Sequence, residues 1–269
     1  MKGILKIFDW YLKASLHVGL ASAALVGVTY FYAEIPININ LLVFVFFATV
    51  VSYNFIKYTR YIYINKKLKS SLKAIICLTL ICFIAGVYLF FQFQIITQVL
   101  LFVAFLLNIL YAIPLKSGMK NLRNFAGVKI YIVSFCWAWV TLIIPLIEAN
   151  LPLDYDVLIK FTQRFLLTII LLLIFEIRDL DVDDKQLKTV PQMIGISNTK
   201  TIVYFLCIVF YVLDFFKKGS YPHQEFVNAG LVFVISLFNY YVSPQKNKYY
   251  TLFLVESIPI FWCMSVYFL

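Results

Sequence analysis

Five of the chain's thirteen acidic residues, Glu176, Asp179, Asp181, Asp183 and Asp184, fall in one short stretch between Phe175 and Pro191. An apolar run, Val157–Phe175, leads into it almost without a break. If the helix expected of that run continues through the acidic stretch, Asp179 and Asp183 stand one turn apart on the same face. Two carboxylates so placed at a membrane–water boundary suit a hard divalent cation such as Mg2+, which in turn can hold a diphosphate. Asp181 and Asp184 fall off that face and are expected in solvent. The stretch also reads as a solvated acidic turn capping the next helix, and both readings stand at this point.

The elements that must position these residues are membrane helices. The chain is 63% hydrophobic, 19% aromatic and only 13% charged, with mean hydropathy +0.90. Soluble domains carry about 25% charged residues, so the fold class is an all-α integral membrane protein. Nine apolar segments of spanning length can be marked off, at about 10–33, 41–64, 72–91, 95–113, 124–147, 157–177, 200–216, 225–242 and 249–269. They form a single transmembrane unit over residues 1–269. The first run continues past Ala21-Ser22-Ala23 and reads as an uncleaved span, not a signal peptide.

The net charge of +10 is an orientation signal and does not point to nucleic acid. All but four of the 23 Lys and Arg residues (Lys160, Arg164, Lys217 and Lys218) lie in or beside alternate connections. By the positive-inside rule the N-terminus is cytoplasmic and the C-terminus outside. The five cysteines sit in apolar runs without metal-like spacing and read as small buried hydrophobes.

Two motifs carry a resemblance to a known family. Arg178-Asp179-Leu180-Asp181-Val182-Asp183, followed by Lys188-Thr189-Val190-Pro191 and Gly195, resembles the second aspartate-rich motif of UbiA-type intramembrane prenyltransferases. Leu110-Tyr111-Ala112-Ile113-Pro114-Leu115-Lys116 resembles that family's conserved stretch at the end of the fourth span. The resemblance implies a helical bundle around a lateral, lipid-facing cavity. It also implies a Mg2+-dependent transfer of a prenyl group from a prenyl diphosphate to a lipophilic, aromatic or quinone-precursor acceptor. On this reading Asp179 and Asp183 ligate the metal. Tyr111, Lys116, Lys120, Arg123 and Arg178 border the substrate, with Asn54 as the remnant of a first motif.

That first motif, N-x-x-x-D-x-x-x-D, is degenerate. Asn54 is present, but Tyr58 and Ile62 hold the aspartate positions, and no acidic residue occurs between Glu34 and Glu148. Lys57 and Arg60 stand nearby and can meet diphosphate oxygens as fixed cations. They can equally anchor the helix end to headgroups. The alternative to an enzyme is an inactive homologue that binds or carries an isoprenoid or lipid. Glu256, inside the last apolar segment, is a further candidate because intramembrane carboxylates are costly.

Overall fold

The computed structural model describes residues 2–64, 69–112, 127–184, 187–219 and 223–268. The chain forms α1 (Lys2–Lys13), α2 (Leu16–Tyr32), α3 (Ile39–Ile64), α4 (Ser70–Phe90) and α5 (Ile95–Ala112). After these come α6 (Val128–Ala138), a π-helical segment Trp139–Ile143, α7 (Ile144–Glu148), α8 (Tyr155–Asp179) and α9 (Val190–Val212). The last elements are α10 (Gln224–Tyr241), a second π-helical segment Tyr250–Val255 and α11 (Ile258–Phe268). No strand occurs among the described residues.

In a bilayer every backbone polar group must find its partner within the segment, which is why helices carry the whole fold. Helix α8 is the axis. Its Leu167, Ile170, Leu173, Ile174 and Ile177 are fully buried and pack with Val203, Phe210, Ile235 and Trp262. Large apolar side chains on the outside, such as Ile84, Phe205, Phe233 and Phe261, are 59–68% exposed, as a lipid-facing surface requires. Along the chain α2 packs on α3, α3 on α4, α6 on α8, α8 on α9 and α9 on α10, and α11 closes the ring against α2. Helix α5 packs mainly on α6 and α7, which leaves a groove between it and the α3–α4 pair.

The close approach of α2 to α3 needs Gly19, because a Cβ there would stand 2.9 Å from the Phe46 and Val50 side chains. Six helical segments are long and apolar enough to span, or seven if the bent pair α1–α2 counts as one span. Among the described residues the expected nine is therefore not confirmed. Ile95–Tyr111 is too short, and α10 carries Gln224, Glu225, Asn228 and Asn239. The first span is bent by 56° where Ser15 takes a left-handed conformation, and α9 begins at Val190, ten residues earlier than hydropathy suggests. Cys77 is exposed, contrary to expectation, while Cys82 and Cys207 are buried.

Helix α9 kinks at Gly195, whose φ of 82° and ψ of 163° belong to a region open essentially only to glycine. Nothing lies within 4 Å of a Cβ built there, so replacement costs strain without a clash. Gly195→Ala is expected to lose about 1–3 kcal/mol of stability. A melt in detergent reads this as a lower midpoint; an unchanged midpoint would show that the kink relaxes freely.

Candidate functional site

The acidic stretch is pinned from beneath by Glu176. This side chain is 5% exposed; its Oε1 lies 2.9 Å from Lys129 Nζ on α6, and its Oε2 accepts the Val190 N–H at 3.1 Å. One carboxylate thus ties α6, α8 and the start of α9 together. Gln192 Oε1 accepts the Thr189 N–H at 3.0 Å, and Pro191 fits the first turn, where no donor is needed.

Helix α8 ends at Asp179 instead of running on through Asp183, as the sequence led one to expect. The N–H groups of Val182 and Asp183 both donate to the Asp179 carbonyl, at 2.9 and 2.8 Å. Carboxylates crowded at the negative end of a helix dipole oppose further winding, and the last turn tightens into a bend. The Asp183 bond to Asp179 still spans four residues, so the two aspartates remain one turn apart. Arg178 Nη1 pairs with Asp179 Oδ1, and the Asp179 side chain is 34% exposed. Asp181 and Asp184 are exposed, as expected.

On α3, Asn54 is 3% exposed. Its Nδ2 donates to the Ala14 carbonyl at 3.1 Å and to Thr79 Oγ1 at 2.9 Å, while its Oδ1 accepts from Ser15 Oγ at 2.8 Å. Both amide hydrogens are engaged in holding the α1–α2 bend to α3 and α4. Lys57 directs Nζ to the buried Ser15 Oγ at 3.0 Å and over the Tyr53 ring at 5.8 Å. The residue as a whole is exposed, so its stem lies at the surface while its amine reaches back to Ser15. The side chain of Arg60, and all of Lys116, Lys120 and Arg123, lie outside the described residues. Tyr111 is buried, within electrostatic reach of Tyr53.

Below the acidic turn lies a hollow of about 110 Å³, lined by Tyr53, Trp137, Phe175 and Glu256. Phe175 precedes Asp179 by one turn on α8, so this wall of the hollow lies one turn from the acidic end of that helix. Glu256 follows the π-helical segment Tyr250–Val255, an irregularity frequent at functional sites. Glu256 and Lys57 act on one another electrostatically across the hollow. Tyr53 and Trp137, their ring centroids 6.5 Å apart, also wall a second cavity of about 150 Å³. That cavity shares Ser52, Phe105 and Asn108 with the groove between α3, α4 and α5, about 430 Å³ and almost wholly apolar. The three spaces adjoin one another through these shared walls.

Sequence reasoning missed Ser15, Tyr53 and Trp137. Ser15 left only a faint signal, the polar pair Lys13 and Ser15 interrupting an apolar run. Among the described residues no three His, Cys, Asp or Glu side chains converge as a metal cage. The donor set instead fits a largely hydrated ion, as Mg2+ commonly binds through one or two carboxylates and takes its other ligands from water and phosphate. Asp179 and Asp183 would be those carboxylates.

These features define an all-helical membrane protein with a charged mouth over an apolar interior. Neither a protein-family model nor a curated protein sequence matches the chain. Among solved structures it is similar to a digeranylgeranylglyceryl phosphate synthase in membranes, with TM-score 0.60 and 16% identity over 98% of this chain and 99% of that one. The two share one fold, an all-helical membrane bundle.

Proposed function

We propose that the chain transfers a prenyl group from a prenyl diphosphate to a lipophilic acceptor at this mouth, with the N-terminus and the mouth on the cytoplasmic side. The observation that carries the reading is the aspartate pair one turn beyond Phe175, a residue that lines an aromatic hollow adjoining further apolar space. Mg2+ held by Asp179 and Asp183 would neutralise the diphosphate and make it a better leaving group. Lys57, whose amine donates to Ser15 Oγ, which in turn donates to Asn54, supplies a positive charge where the degenerate first motif has no carboxylate. Arg178 adds a further cation beside Asp179, and the sequence offers Arg60, Lys116, Lys120 and Arg123, which lie outside the described residues, as further diphosphate partners.

In the reaction the allylic C–O bond breaks and its electron pair leaves with diphosphate. The faces of Tyr53 and Trp137 stabilise the positive charge left on carbon. The acceptor's nucleophilic atom then bonds to that carbon and gives up a proton. Glu256 Oε, in the same hollow, would take it. Glu256→Gln is therefore expected to lower turnover about a hundredfold, the scale of general-base assistance, while prenyl diphosphate still binds. Equal losses in turnover and binding would make Glu256 a packing residue.

The test is release of pyrophosphate from a labelled prenyl diphosphate by purified protein with Mg2+ and a panel of aromatic, quinone-precursor and glycerol-phosphate acceptors. One observation favours a second reading: Tyr58 and Ile62 stand where the resemblance calls for metal-binding aspartates. No release across the panel, with saturable binding of the prenyl chain, would establish that reading, a carrier of isoprenoids or lipids.

A further inference from the structure

A second polar cavity, of about 340 Å³, opens at the other end of α8. From Arg164 to Asp179 is fifteen residues of helix, about 22 Å at 1.5 Å per residue, so this space is separate from the acidic mouth. Arg164 is 3% exposed and lines it. Its Nη1 donates to the Leu25 carbonyl at 2.7 Å and to Thr141 Oγ1 at 3.1 Å, its Nη2 reaches Thr29 Oγ1 at 3.4 Å, and its Nε has no partner. The Trp262 ring lies 5.1 Å from the guanidinium carbon. One turn closer to the surface, Lys160 Nζ donates to the Tyr32 carbonyl at 3.4 Å. Among the described residues neither cation forms an ion pair with a carboxylate. A buried guanidinium without a counter-charge is expensive, and in a membrane protein such a residue marks a site.

The order of charge across the cavity is specific. The cations lie deep, while Glu34 and Asp154 are exposed at the rim and Asp156 stands between. Asp154 caps α8 by accepting the Val157 N–H at 2.9 Å, and Asp156 accepts the N–H groups of Lys218 and Gly219 at 2.9 and 2.8 Å. Among the described residues no backbone N–H donates to the Glu34 carboxylate. All three carboxylates and Arg164 act on Lys160. A purely anionic group would be repelled at the entrance, and a purely cationic one at the floor. A zwitterion whose negative group enters first satisfies both ends, and the volume suits a small head group, near the lower end of ligand pockets.

We propose that this cavity binds the head group of an ammonium-bearing phospholipid, its phosphate at Arg164 and Lys160 and its ammonium beside Glu34. The inference is independent of the transfer reading, since it concerns another end of the bundle and is tested by binding alone. Purified full-length protein in a maltoside detergent is titrated calorimetrically with dihexanoylphosphatidylethanolamine, dihexanoylphosphatidylglycerol and free phosphorylethanolamine. Saturable one-to-one binding of the first, weaker binding of the other two, and a loss of about tenfold in Lys160→Met are expected. Glu34→Gln should narrow the preference over the glycerol-headed lipid. Arg164 is left in place, because its bonds to α2 and the π-helical segment are part of the packing. No saturable binding, a glycerol-headed lipid binding as tightly, free phosphorylethanolamine binding as tightly, or an unaltered affinity in Lys160→Met would each overturn the proposal.

Discussion

Asp179→Ala and Asp183→Ala are each expected to reduce pyrophosphate release by at least about a thousandfold. A Lewis-acid cation contributes several kcal/mol to stabilising a departing phosphate, and each 1.4 kcal/mol is a factor of about ten. Loss of either ligand leaves one carboxylate to hold an ion that already takes most of its ligands from water and phosphate. Asp179 has the further role of offsetting Arg178, so its removal frees a cation that can itself meet diphosphate. The Asp183 variant should therefore lose more of its Mg2+ dependence than of its metal-independent diphosphate binding. Asp181→Ala is the control, because that side chain is exposed in the turn and off the shared face. The readouts are pyrophosphate release and Mg2+-dependent retention of a labelled prenyl diphosphate. Full activity in both alanine variants would remove the metal from the reading.

Much of this site was legible in the sequence because acidic residues are so scarce that any cluster stands out against the apolar background. The position of the Asp179–Asp183 pair at a helix end, and the all-helical fold, follow from composition and run length. What the residues did not convey was direction. In a membrane helix both the buried and the lipid-facing sides are apolar, so the periodicity that tells inside from outside in a soluble helix is weak. Lys57 accordingly read as well for headgroup anchoring as for an inward cation; in the fold its amine meets Ser15 although the residue is exposed. The bend at Ser15 was hidden for the same reason: Leu12, Ala14 and Leu16 keep the hydropathy high across it. Arg164 counted in the sequence only as a minority charge on the outer side. That it is 3% exposed depends on Leu25, Thr29, Thr141 and Trp262, from three distant segments. The count of nine spans is not confirmed among the described residues, where polar residues interrupt α10 and the described part of α5 is short.

Removing Asp214 is expected to be the most destabilising single change at the end of the bundle away from the acidic turn, costing about 3–5 kcal/mol. The Asp214 and Lys217 side chains are 2% and 1% exposed, and the pair is 2.5 Å apart. Burial pushes the Lys217 ammonium below the usual lysine range, and the neighbouring Asp214 carboxylate opposes that shift. Asp214 also accepts from Gln163 Nε2 at 2.9 Å and Asn228 Nδ2 at 2.7 Å. Asp214→Ala would leave a buried cation without its counter-ion and two amides short of an acceptor, which is where the cost arises. A thermal melt in detergent should show a large fall in midpoint, and a loss below about 1 kcal/mol would mean that water enters and replaces the carboxylate. The double variant Asp214→Leu with Lys217→Met should recover much of the loss, because removing both charges together also removes their desolvation cost. The network reaches further than its own stability: Asn228 Oδ1 accepts the Trp262 indole N–H at 3.1 Å, and that indole faces the Arg164 guanidinium. A chain from Asp214 through Asn228 and Trp262 thus sets the wall against which Arg164 rests. The double variant, folded but without this chain, should weaken dihexanoylphosphatidylethanolamine binding although it touches neither Arg164 nor Lys160.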